Sequence, residues 1–151
     1  MNFTEFRPKQ SRPFSNGKSL HVVLRSRTAV LRTAKNRKLV AILLSQYADK
    51  FNIRVYQNSL NSSHLHLVLF VKEKKELQSF LRVFAGQLAQ RITGAVKGRG
   101  LTKSFWMSVA WSRVVEWGRA FHGVINYILK NQMESLGIIA YQPRGRRVLR
   151  V

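Results

Sequence analysis

A chain of 151 residues without cysteine can bury one core with no disulfide staples, and its 45% hydrophobic and 11% aromatic content excludes a disordered chain. Twenty-seven Lys and Arg against six Asp and Glu give a formal net charge of +21, which calls for a polyanionic partner: nucleic acid first, an acidic membrane surface second. The acids are Glu5, Asp49, Glu73, Glu76, Glu116 and Glu134, too few for a site of clustered carboxylates; no apolar run reaches about 18 residues and Met1 to Pro13 has no signal-like core, so the expectation is a cytosolic protein that spans no membrane.

Residues 1–18 carry Arg7, Lys9, Arg12 and Lys18 among two prolines and read as a basic arm. Leu20 to Arg25 alternates Leu20, Val22 and Leu24 against His21, Val23 and Arg25, a strand pattern, and a basic loop through Arg27, Arg32, Lys35 and Arg37 is expected to follow. Val40, Leu43, Leu44, Tyr47 and Phe51 recur at helical spacing and predict a helix over Lys38 to Phe51. Ile53 to Leu60 predicts a second strand that turns at Asn61-Ser62 into a third, beginning at His64. Leu77, Phe80, Leu81, Phe84, Leu88 and Ile92 place a second helix over Glu76 to Val96, before the basic loop Lys97 to Gly100. Ser104 to Val115 predicts a strand or hairpin, with Trp106, Trp111 and Trp117 assigned to the core, and Gly118 to Gln132 a third helix. A strand-like trio from Ile138 opens a basic tail over 138–151.

That order predicts an α+β fold, a ferredoxin-like split βαβ sandwich with two helices on one face of an antiparallel sheet and an extra C-terminal helix. In the third strand Leu65, Leu67 and Leu69 take the core side, so His64 and His66 share the opposite face, roughly 7 Å apart at the backbone. Two imidazoles so spaced can converge on one divalent ion. The remaining helix must cover that face; it carries Tyr127, and Asn131 four residues on lies on the same helical side as a third, amide donor. With a polyanionic substrate, the combination fits phosphoryl transfer to a tyrosine nucleophile.

The strand Ser63-His64-Leu65-His66-Leu67-Val68-Leu69 resembles the His-hydrophobic-His motif of the HUH single-strand endonucleases, and Tyr127-Ile128-Leu129-Lys130-Asn131 resembles the tyrosine helix of the single-tyrosine transposases. Leu20 to Arg25 is similar to that family's first strand, and Phe105-Trp106 with Arg113-Val114-Val115 to its fourth, so the likeness spans about residues 19–137, nearest to the transposases associated with repetitive extragenic palindromes. The resemblance implies an enzyme that cuts and rejoins single-stranded DNA beside hairpins through a 5′-phosphotyrosine. Tyr127 would be the nucleophile, His64 and His66 the ligands of Mg²⁺ or Mn²⁺, and Asn131, or Gln132 beside it, the third ligand. Ser63 and Gln132 stand where relatives often have Asn and Pro. Monomer and homodimer both stay open, as does the alternative of a relative that only binds structured single-stranded nucleic acid. Charge clustering nominates Lys97, Arg99, Lys103, Arg144, Arg146 and Arg147 as the DNA-binding cations.

Overall fold

The computed structural model describes residues 13–95 and 103–143; Lys97, Arg99, Arg144, Arg146 and Arg147 lie outside them. The elements are β1 (Ser19–Arg25), α1 (Ala34–Lys50), β2 (Arg54–Leu60), β3 (His64–Phe70), α2 (Lys74–Thr93), β4 (Trp111–Val115) and α3 (Arg119–Ser135). The strands form one antiparallel sheet in the order β2-β3-β1-β4, the split βαβ arrangement expected from the sequence. Strand parity divides the molecule into two layers. Leu20, Val22 and Leu24 of β1 and Leu65, Leu67 and Leu69 of β3 are buried against Val40, Leu43, Leu44 and Tyr47 of α1 and Leu77, Phe80, Leu81, Phe84 and Leu88 of α2. On the other face α3 covers only part of the sheet, through a smaller cluster of Val68, Val115, Val124 and Ile128.

Local chemistry explains the boundaries. α1 starts four residues before the predicted position because Thr33 caps it, its hydroxyl accepting from the Asn36 N–H at 3.3 Å, while the Asn36 amide donates to the Val30 carbonyl at 2.7 Å. Lys35 and Arg37 are therefore helical rather than part of a loop. α2 ends on Gly94 at φ 70°, a left-handed cap that a side chain would strain. Between β2 and β3 a short connection closes with Asn61 N–H donating to the His64 carbonyl at 2.8 Å. A bulge between Val55 and Gln57 leaves Tyr56 as the extra residue, and its ring packs edge-on against Phe121 of α3 at 5.2 Å.

The predicted strand over Ser104 to Val115 is interrupted. Ser26 bridges to Trp106, yet continuing the Val23–Trp111 register would bring Ser108 opposite Ser26, so two residues are looped out before the chain rejoins the sheet at Trp111. The strand-like trio Ile138 to Ala140 is likewise not a strand: the helix closes through Gly137 at φ 72°, and Ile138 donates its N–H to the Met133 carbonyl. Of the tryptophans, Trp106 packs on the core and donates to the Ala85 carbonyl at 2.9 Å, but Trp111 and Trp117 are about half exposed and do not belong to it. Lys18 pairs with Glu116 at 2.9 Å, joining the segment before β1 to the end of β4.

Candidate active site

The face that α3 partly covers carries the polar residues. Pairing of β1 with β3 sets Arg25 opposite His64 and Val23 opposite His66, and pairing with β4 sets Trp111 opposite Val23 and Arg113 opposite His21. Directly opposed residues point to one face, so His64, His66, His21, Arg25, Trp111 and Arg113 form one polar and aromatic surface. On the other side β2 sets Ser59 opposite His66; Ser59 is fully buried and its hydroxyl finds no partner among the described residues.

The imidazoles line up. His64 and His66 stack with ring centroids 6.3 Å apart and planes 21° apart, and His66 stacks on His21 at 5.4 Å and 19°. His64 Nδ1 lies 3.0 Å from the Ser63 hydroxyl, and His66 Nδ1 lies 3.1 Å from His21 Nε2. With each Nδ1 so engaged, Nε2 is the nitrogen through which each ring would bind an ion. Ser63 thus supplies a polar group to the first histidine.

Electrostatics favour the neutral form of His21 and His64. His21 is pushed down to about 4, first by burial, then by His66 and by Arg113. His64 is held below the usual imidazole range by its partial burial and then by Arg25. Neutral imidazole is the ligating form, so its surroundings suit His64 to a cation. Among the described residues no group of three or more His, Cys, Asp or Glu is placed to hold a metal. The donors at hand are therefore two imidazole nitrogens, to which an amide oxygen and the charged oxygens of a phosphate could be added.

α3 brings the remaining residues. Tyr127 is 41% exposed, and its ring meets that of His66 edge-on at 6.3 Å between centroids. Asn131, one helical turn further, is buried on the underside of the helix with Val124 and Ile128. Gln132 lines a separate groove, with Leu44 and Ala48 of α1 and Val55 and Leu60 of β2. Lys103 also stands apart, exposed in a groove with Arg27, Ile92 and Phe105 that does not contain Tyr127.

His21, Arg25, Trp111 and Arg113 were not among the site residues predicted. The alternation of His21 and Arg25 against three apolar residues was visible in β1, but only strand order says that β1 lies beside the histidine strand.

Comparison with known proteins bears on the fold and the family. None of the curated proteins compared matches the chain. Among solved structures, a REP-associated tyrosine transposase bound to a REP hairpin superposes with a TM-score of 0.67 at 12% identity, over 85% of this chain and 74% of that one. A candidate transposase from Deinococcus radiodurans R1 gives 0.54 at 16% identity, over 82% of this chain and 97% of that one. At such identities the likeness is one of fold. The family model described as "Transposase IS200 like" matches residues 15–128, a span that takes in β1, the histidine strand and Tyr127. A match over so much of the chain places it in the family: it belongs to the IS200-like transposases, the HUH single-tyrosine group.

Proposed function

We propose that the protein nicks and rejoins single-stranded DNA beside hairpins, with Tyr127 as nucleophile. The observation that carries the reading is the placement of the Tyr127 ring on His66, the inner member of a stacked histidine pair, on a face that also carries Arg25 and Arg113. The Tyr127 phenol oxygen, having lost its proton to solvent, attacks phosphorus; the bond from phosphorus to the 3′-oxygen breaks, and that oxygen leaves as a hydroxyl after taking up a proton. The DNA 5′ end is then held as a phosphotyrosine, and the 3′-hydroxyl of another end can reverse the step, restoring a phosphodiester and the free tyrosine. No nucleotide hydrolysis is needed, because the bond energy is retained.

His64, His66 and the Asn131 amide would hold Mg²⁺ or Mn²⁺; Asn131 is preferred over Gln132 because it shares the Tyr127 side of α3, whereas Gln132 faces α1 and β2. When bound, the ion supplies charge stabilisation at the phosphate oxygens in the transition state. His21 acts on His66: accepting a hydrogen bond from Nδ1–H would fix the tautomer in which Nε2 faces the ion. Arg25 and Arg113 add positive charge for the strand. The hairpin bound by the structural neighbour supports a hairpin as the recognition element.

The test is a denaturing gel of the protein mixed with labelled hairpin DNA carrying single-stranded flanks, with and without Mn²⁺ or Mg²⁺. A metal-dependent protein–DNA adduct is expected, absent in Tyr127→Phe while hairpin binding persists. Adduct formation by folded Tyr127→Phe would remove Tyr127 from the role. Binding with no adduct on any hairpin would favour a relative that only binds structured DNA.

A further inference from the structure

A groove between β4 and α3 runs from Tyr127 away from the histidine pair. It is lined by Trp111 and Arg113 on one side, His21 at its base, and Ala120, Gly123 and Tyr127 along the helix, and encloses about 940 Å³. That size lies at the upper end of the range for small-ligand sites. The groove exists because α3 turns small residues toward β4: a Cβ built on Gly123 would meet nothing within 4 Å. A helix meant to pack on the sheet there would carry large apolar residues, as α2 does over the other face.

Trp111 is 52% exposed, an unusual state for an indole on a strand. Its tilt is set by an edge-to-face contact with His21, centroids 5.5 Å apart and planes at 87°. Arg113 follows two residues later on the same side of β4, exposed, opposite His21 in register. An oriented indole beside a guanidinium, across a groove from a nucleophile, is the chemistry that binds a stacked base and its phosphate. A base inside a duplex is stacked on both faces and cannot offer one to Trp111, which favours an unpaired base as the ligand.

We propose that the β4–α3 groove binds one unpaired nucleotide of the DNA strand, its base stacked on Trp111 and its phosphate held by Arg113. The identity of the strand rests on the single-strand reading above, but the groove acts in binding, before and independently of bond cleavage. Stacking of this kind is tolerant of base identity, so the groove adds affinity for single strands rather than sequence specificity.

The experiment measures binding without divalent ions, so that no cleavage occurs. The probes are a fluorescein-labelled oligothymidylate about twelve nucleotides long and an abasic strand of equal length and charge. The wild-type protein should prefer the base-bearing strand by about tenfold. Trp111→Ala should erase that preference with little change on the abasic strand. Gly123→Leu, at a helical position with open space above it, should do the same by filling the groove. Circular dichroism and thermal melting check that both variants fold. A wild type without preference, or either folded variant keeping it, overturns the proposal. The outcome is separable from that for Tyr127: preference without adduct sinks only the nucleophile, and adduct without preference sinks only the groove.

Discussion

His21 reaches His66 through a diagonal of the sheet, since its direct neighbour across β3 is Val68 and Val23 stands opposite His66. Diagonal pairs lie within reach of aromatic rings, and here that reach becomes a 3.1 Å contact between ring nitrogens. Because the folded state holds His21 at about 4 and the unfolded chain titrates near 6.5, the unfolded chain binds the extra proton between those values. Its contribution to stability is therefore whole above pH 6.5 and is lost as pH falls toward 4, by at most about 1.4 kcal/mol per pH unit. His64, shifted the same way, adds to that loss. His21→Phe keeps a ring in the space but cannot accept a hydrogen bond. In metal-free protein it should flatten the fall in melting temperature between pH 6.5 and 5, and it should weaken Mn²⁺ binding by about tenfold or more. An unchanged Mn²⁺ affinity in a folded variant would confine His21 to packing. The sequence paired His64 with His66 and Tyr127 with Asn131 because each relation is carried by a local period, two along a strand and four along a helix. It did not disclose His21, Trp111 or Arg113, whose meaning depends on which strands are neighbours, a non-local property.

The element that carries Tyr127 is attached more lightly than the others. α2 buries Leu77, Phe80, Leu81, Phe84 and Leu88, whereas α3 buries only Val124, Ile128 and Asn131 and begins at Gly118, φ 91°, with no side-chain cap. Aromatic contacts of Phe121 with Tyr56 and with Trp117, whose indole donates to the Gly17 carbonyl at 2.6 Å, hold its first turns. Ile128 is thus the main apolar anchor beneath the turn that carries Tyr127. Ile128→Ala should cost about 2–4 kcal/mol if α3 unfolds with the rest of the domain. If α3 opens on its own, chemical denaturation will show a smaller loss, and hydrogen exchange will show α3 amides losing protection ahead of those of α2. Elements whose apolar residues recur at one period were legible with small boundary errors. The fourth strand was not, since Phe105 to Val115 is largely apolar, broken only by Ser108, Ser112 and Arg113, and nothing local marks where two residues leave the register. Nor did the tryptophans announce that two of them would be half exposed: β-rich composition records what a sheet can accept, not which face is covered.

At the scale of the whole molecule, six acids can neutralise at most six of 27 cations. The fold accordingly forms against its own field, and screening should help it. The melting temperature is expected to rise between low salt and about 0.3 M NaCl, opposite to a fold held by ion pairs. Affinity for single strands should fall steeply over the same range. A melting temperature that declines with salt would mean that ion pairs outweigh the repulsion. The Lys18–Glu116 pair shows what a supply of carboxylates would have done, tying the entrance of the sheet to its exit. A strand of DNA laid over the remaining cations brings the counter-charge that the chain itself never encoded. Seen this way, the substrate is also the missing half of the protein's surface, and the free protein is the less complete of the two states.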